Sequence, residues 1–286
     1  MTVKKLTLKN TAIPETLRNI PNPPKELYIL GDLTPLLDRP RVAIVGSRKV
    51  TPYGRQVTQQ LARELALAGV VIISGLALGI DAIAHQAALE VGGKCIAILP
   101  TSLEEIYPSS HRQLAEQILR TGGALISEYP EGMPSLKKNF IERNRLVSGL
   151  SDGVLIPEAA IKSGTLHTAN FALDQGRTVM AVPGNITSPT SQGTNSLLKT
   201  GAILVTETTD ILTALHLTPK DMQRQLPLAA NKAEQAILDL LASGVSDGSV
   251  LLADSGLGPS EFNQTLTMLE ITGKIKPLGM GHWSLM

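Results

Sequence analysis

Between Arg41 and Thr206 the chain alternates short, wholly apolar runs with longer stretches in which apolar residues recur every three or four positions. The short runs are Arg41 to Gly46, Val70 to Ser74, Lys94 to Leu99, Ala124 to Ser127, Gly153 to Ile156, Thr178 to Val182 and Ala202 to Thr206. Each lacks the polar alternation of a half-exposed strand, so each predicts a strand covered on both faces. The stretches between them predict helices at about 53–68, 80–91, 110–121, 139–150, 166–175, 195–199 and 209–215. Strands alternating with helices specify an α/β fold, here a mostly parallel sheet of about seven strands with helices on both faces.

The flanks differ. Residues 1–40 mix Pro14, Pro21, Pro23, Pro24, Pro35 and Pro40 with short apolar pieces such as Leu27 to Leu30, and read as an N-terminal arm leading into the sheet. Residues 41–216 form the main domain. Residues 217–232 hold two prolines and no apolar period, and read as a linker. From 233 to 286 the pattern predicts helices at 233–241, 249–253 and 259–273, then a strand pair over 274–285, the order of a small winged-helix domain.

Composition adds limits. A chain of 286 residues has room for one large domain and one small one. Its 43% hydrophobic and 18% charged residues are those of a globular protein. No apolar run reaches the ~18 residues of a spanning helix. The start, M-T-V-K-K-L-T-L-K-N, lacks the apolar core of a secretory signal, so a cytoplasmic location and no membrane partner are expected. Cys95, the single cysteine, lies in an apolar run and reads as a small buried hydrophobe, with no cysteine metal site. The net charge of +1 means that any anion site must be local. Aromatic residues make up only 3%, so one beside a basic cluster is informative.

Candidate chemistry concentrates where strands end. In R-V-A-I-V-G-S-R, Gly46 admits close backbone approach, Ser47 offers a hydroxyl and Arg48 a bidentate fork. That set suits phosphate, and the bland alternative is a plain glycine turn. A second loop, Ser74 to Asp81, brings Gly75. Asp81 and His85, four apart, either pair to hold that loop or begin a metal site whose third ligand is not visible. A third, E-A-A-I-K-S-G-T-L-H-T, sets Lys162, Ser163, Gly164 and Thr165 at a helix start, as phosphate loops and simple N-caps both do. A fourth, Pro183 to Lys199, is long and polar.

The cluster K-K-N-F-I-E-R-N-R adds Lys137, Phe140, Arg143 and Asn144. On a helix Phe140, Arg143, Asn144 and Val147 share a face and Arg145 does not. A ring beside guanidinium and amide groups suits unstacked bases; the alternative is a core phenylalanine under a solvated helix. G-L-S-D-G matches G-x-S-x-G, but a helix precedes it and a strand follows, the reverse of a nucleophile elbow. There is no G-x-x-x-x-G-K-[ST], and two Asn-x-Thr sequons mean nothing without a secretory signal.

Taken together, N-P-P-K-E-L-Y-I-L-G-D, V-A-I-V-G-S-R, I-S-G-L-A-L-G-I-D-A-I-A-H, N-F-I-E-R-N-R-L-V-S-G-L-S, K-S-G-T-L-H-T-A and A-V-P-G-N resemble the DNA-processing protein A (DprA/Smf) family. The resemblance covers about Ile13 to Leu215. It implies an extended Rossmann-like domain that binds single-stranded DNA in a basic pocket, forms a homodimer and helps load a RecA-type recombinase during natural transformation. It implies no cofactor, no metal and no catalytic residue. Carried over, Arg48, the segment Lys137 to Asn144 with Phe140, Lys162 with Ser163 and Gly164, and Lys199 would line that pocket.

Two features depart from the family pattern. The helical domain that precedes the sheet in many members is not expected here, with the first strand at Arg41. From Lys232 onward three lysines face six carboxylates, a poor balance for gripping phosphate, so this module is expected to contact protein or to have no role. The rival is a nucleotide phosphoribohydrolase-like enzyme with a P-G-G-x-G-T-x-x-E loop. Here His167 or Thr168 stands in place of that carboxylate, which removes the proton carrier.

Overall fold

The computed structural model describes residues 2–7, 13–217, 229, 231–243, 245–279 and 281–285. The chain divides into two units, Met1–Gln223 and Arg224–Met286. Most of the expected linker, 217–232, lies outside the described residues.

In the first unit the strands are β1 (Lys4–Thr7), β2 (Glu26–Gly31), β3 (Arg41–Ile44), β4 (Val71–Ser74), β5 (Cys95–Leu99), β6 (Ala124–Ser127), β7 (Gly153–Ile156), β8 (Thr178–Ala181) and β9 (Ile203–Leu204). The helices are α1 (Glu15–Arg18), α2 (Thr34–Leu37), α3 (Pro52–Leu67), α4 (Ile80–Glu90), α5 (Arg112–Arg120), α6 (Lys137–Leu150), α7 (Thr165–Asp174), α8 (Gln192–Lys199) and α9 (Thr208–Ala214). The sheet order is β1-β2-β6-β5-β4-β3-β7-β8-β9, parallel from β6 to β9. The seven expected strands are β3 to β9.

The residues taken for an arm add two more. β1 pairs antiparallel with β2, and β2 antiparallel with β6, so the segment 1–40 extends the sheet rather than only leading into it. The prolines hid this, and β1 is a half-exposed edge strand with no apolar run to mark it.

The period of two along each strand sorts the core into two layers. Val42, Ile44, Ile72, Ala97 and Leu155 face the layer that holds Leu61 and Leu65 of α3, Ala84 and Ala88 of α4, Ile118 of α5 and Ile211 of α9. Ala43, Ile73, Ile96, Ile98 and Val154 face the other, with Leu17 of α1, Leu36 of α2, Leu146 and Leu150 of α6 and Ala169 of α7. Burying one such side chain stabilises the fold by roughly 1.5–3 kcal/mol. Cys95 is fully buried in the first layer, as expected, and burial pushes its thiol pKa up. The G-L-S-D-G match joins α6 to β7, and Ser151 is buried with its hydroxyl donating to Ser148 O at 2.8 Å.

This winding positions the site. The chain runs outward from β3 through β4, β5 and β6 on one side, then returns to place β7, β8 and β9 on the other. Loops leaving β3 and β7 therefore diverge, and a crevice opens outside their carboxyl ends.

The second unit contains α10 (Lys232–Ala242), α11 (Gly248–Ser255), α12 (Pro259–Ile271), β10 (Ile275–Gly279) and β11 (His282–Leu285). Its core joins Ile237, Leu238, Leu251, Phe262, Leu266 and Leu269 with Ile275, and β10 pairs antiparallel with β11. Among the described residues no helix is long and apolar enough to cross a membrane.

Candidate nucleic-acid interface

A cleft of about 550 Å³ lies in the crevice between the β3 and β7 loops. Of the residues expected to bind DNA, Gly46, Ser47, Arg48, Phe140, Arg143, Asn144, Lys162, Ser163, Gly164 and Thr165 line it. Gly75 lines a recess of about 50 Å³ that shares Arg48, Phe140 and Arg143 with the cleft. Lys137 and Lys199 do not line the cleft: each is exposed, one in the first turn of α6 and the other in the last turn of α8.

The β3 loop is held by its neighbours. Ser47 N–H donates to Glu158 O at 2.8 Å, and Ile80 N–H to Ser47 O at 3.1 Å. Glu158 also accepts from Thr51, the N-cap of α3, through its backbone N–H at 3.3 Å and through its hydroxyl. A carboxylate at a helix N-terminus complements the local dipole, so Glu158 ties the β7 loop, the β3 loop and α3 together. Gly46 serves this packing: a Cβ there would stand 2.6 Å from Ile80 and 2.8 Å from Glu158 O. The expected reason, space for an anion, is replaced by packing between loops. The Ser47 hydroxyl turns back to Lys49, donating to its carbonyl at 2.8 Å.

The second loop works differently from expectation. Asp81 accepts from Gly75 N–H at 3.0 Å and Ala77 N–H at 3.3 Å, so these amides face a carboxylate rather than a ligand. Arg143 Nη1 donates to Gly75 O at 2.7 Å and to Ile98 O, and its Nε donates to Asn144 Oδ1 at 3.3 Å. A Cβ at position 75 would sit 2.5 Å from Arg143 Nη2, so Gly75 leaves room for that buried guanidinium. Burial lowers the Arg143 pKa to about 10 while Asp81 acts against that fall. Burial raises the Asp81 pKa, and Arg143 and the two amides oppose the rise. Arg143 is 4% exposed and Asp81 6% exposed, so the pair is a floor under the cleft.

His85 takes no part. It is 0% exposed, neither ring nitrogen has a partner, and burial drives its pKa down to about 3. The expected Asp81–His85 pair does not form; Asp81 holds the loop through the backbone amides of Gly75 and Ala77 and through Ser74. No metal-binding cluster occurs among the described residues.

The exposed charges of the cleft are Arg48, Lys49 and Lys162, and none of them forms an ion pair among the described residues. Phe140 is half-buried rather than a core residue, and Arg48 Cζ lies 5.9 Å from its ring centroid. Arg145 points away, as the helical spacing requires, and its guanidinium meets Glu128 at 2.6 and 2.7 Å. At the third loop Ser163 Oγ accepts from Thr165 N–H at 3.2 Å, and α7 starts against the cleft with its dipole toward it. The cleft thus offers unpaired cations, hydroxyls and one aromatic face.

A scan of family models finds DNA recombination-mediator protein A over residues 4–216. The chain belongs to that family. Among curated relatives it is 49% identical to the Smf protein of Escherichia coli over 193 residues, 68% of this chain and 51% of that one. It is 38% identical to the DNA processing protein DprA of Bacillus subtilis over 213 residues, 74% of this chain and 71% of that one. The chain thus spans about half the length of the first relative. The solved DNA processing protein A of Streptococcus pneumoniae superposes with a TM-score of 0.69 at 38% identity, covering 73% of each chain. That of Helicobacter pylori, described for its single-stranded DNA binding mode, gives 0.67 at 40% identity over 77% of this chain and 98% of that one. The family's Rossmann-like fold is therefore the fold of the first unit.

The sequence missed Lys49, Glu158 and Tyr107. Lys49 adjoins Arg48 and could have been read with it. Glu158 follows a predicted strand in the loop already singled out. Tyr107, which meets Phe140 edge to face with centroids 5.1 Å apart at 82°, sits in an irregular loop without period; only the scarcity of aromatics marks it.

Proposed function

We propose that this chain binds single-stranded DNA in the cleft between the β3 and β7 loops, with little dependence on sequence, and works in DNA recombination by passing the strand to a RecA-type recombinase. Arg48, Lys49 and Lys162 take phosphates, hydroxyls of the third loop add donors, and Phe140 stacks on a base. Arg143 acts from below, holding the second loop and Asn144. The observation that carries the reading is three unpaired cations set around a half-buried aromatic ring. The site also offers exposed apolar groups, Ile141 in the cleft and Leu78 in the adjoining recess, which bases rather than duplex backbone would use. The H. pylori protein, 40% identical, supports the same ligand class.

Several finer points belong to this proposal. The chain acts in the cytoplasm as a homodimer, and the second unit is a winged-helix module that contacts protein. Lys137 and Lys199 add exposed positive charge outside the cleft. The enzyme reading gains nothing: Thr168 lines the cleft at 2% exposure, and the lining carboxylate, Asp81, is bound to two amides.

The test is fluorescence anisotropy with one labelled oligonucleotide, single-stranded and as duplex, over a salt series. Single strands should bind tighter, and the log–log salt slope should fall by roughly 0.7 in Arg48→Ala, because one phosphate loses its cation. Equal affinity for duplex, or an unchanged Arg48→Ala, would contradict the proposal.

A further inference from the structure

Tyr107 stands at a boundary between two electrostatic environments. On one side it lines the small recess that opens beside the cleft, together with Arg48, Phe140 and Arg143. On the other it lines a cavity of about 780 Å³ with Glu104, Glu105 and Glu131, three carboxylates against the single guanidinium of Arg112. The ring is 47% exposed, so it is not a core residue whose position the fold demands. It meets Phe140 at 82° with centroids 5.1 Å apart. A base stacked parallel to Phe140 is therefore also nearly perpendicular to Tyr107, the geometry in which a ring edge meets a ring face favourably. The recess, at about 50 Å³, has room for a water or two and none for a base, so the base stays on the cleft side.

Building on the single-strand reading above, we propose that Tyr107 and Phe140 form a corner that seats the terminal base of the bound segment, and that the DNA path ends there. Past Tyr107 a phosphate would enter a cavity whose three carboxylates outnumber its one guanidinium, Arg112, a net negative surrounding that disfavours it. The strand is therefore turned back toward Arg48, Lys49 and Lys162.

The experiment measures anisotropy for wild type, Tyr107→Ala, Tyr107→Phe and Tyr107→Leu against oligonucleotides of increasing length and against one with abasic positions, over a salt series. Tyr107→Ala and Tyr107→Leu should bind roughly 2- to 12-fold more weakly, the range of one aromatic pair. Their salt slopes should match wild type, because every cation that meets a phosphate is still present, and Tyr107→Phe should bind as wild type does. The penalty should vanish on the abasic strand. Glu104→Lys/Glu105→Lys should lengthen the oligonucleotide at which affinity stops rising. Wild-type affinity in Tyr107→Ala and Tyr107→Leu would overturn the corner alone, as would a loss equal in Tyr107→Phe. An unchanged limiting length in the lysine variant would overturn the path's end. A wild type that does not bind single strands would overturn the underlying reading as well.

Discussion

Both units hold structural ion pairs, Arg145–Glu128 in the first and Lys274–Glu234 in the second, but among the described residues only the first gathers unpaired cations around a cleft. In the first, Arg48, Lys49 and Lys162 face open space without a carboxylate partner, while Asp81 and Arg143 satisfy each other's surroundings beneath them. In the second, Lys274 Nζ meets Glu234 at 2.6 Å, Asp247 caps α11 by accepting from Ser249 and Val250 N–H, and Glu270 accepts from the Trp283 indole. Charges there hold a small fold together. A basic residue available to DNA is one the fold has left unpaired, and a net charge of +1 for the whole chain conceals that difference.

The largest expected effect comes from removing those cations. Arg48→Ala/Lys162→Ala should weaken single-strand binding by about 3 kcal/mol or more, since charge-assisted hydrogen bonds contribute roughly 1.5–3 kcal/mol each. Anisotropy at fixed salt reads this, and a loss under threefold would place the phosphate-binding groups elsewhere. Phe140→Ala should cost about 1–3 kcal/mol with an unchanged salt slope. A changed slope would mean that the ring acts only by positioning Arg48.

Histidines separate the units too. His85 is sealed in the first unit, whereas His282 sits half-exposed on the second unit's hairpin, 3.9 Å from Asp247. The folded pKa of His85, about 3, lies below the ordinary 6.5. The unfolded chain then binds a proton that the folded one refuses, so stability is full above pH 6.5 and falls toward pH 3. The decline approaches roughly 1.4 kcal/mol per pH unit, the linkage of one proton. Urea titrations from pH 7 to 4 should show a shallower decline in His85→Leu; matching curves would show that His85 titrates normally. The smallest effect is expected from truncation after Leu217, which should leave single-strand affinity within about threefold, because the second unit's carboxylates outnumber its lysines. A large loss would return DNA binding to that unit.

Much of the first unit was legible in the sequence because both sheet faces are covered, and fully buried strands such as Val71–Ser74 and Ala124–Ser127 read as unbroken apolar runs. Strand β1 was not, since a half-exposed edge carries no such run; in β2 the stretch Leu27 to Leu30 is apolar, but the prolines around it mask the pattern. The cleft was legible through loops that follow strands, and Arg48, Phe140 and Lys162 meet as the fold class requires. What spacing could not give was the use of each backbone group. Gly75 reads like a phosphate loop, yet it is shaped by Arg143; Asp81 and His85 read like a pair, yet one binds amides and the other is isolated. Such choices depend on residues distant in sequence, as Glu158 and Thr51 also show.

The most direct measurement is photocrosslinking of the intact protein to a single strand carrying reactive bases, followed by mass spectrometry of the attached peptides. Crosslinks should concentrate in the segments 46–49, 137–145 and 160–168. Crosslinks confined to residues 232–285 would contradict the account.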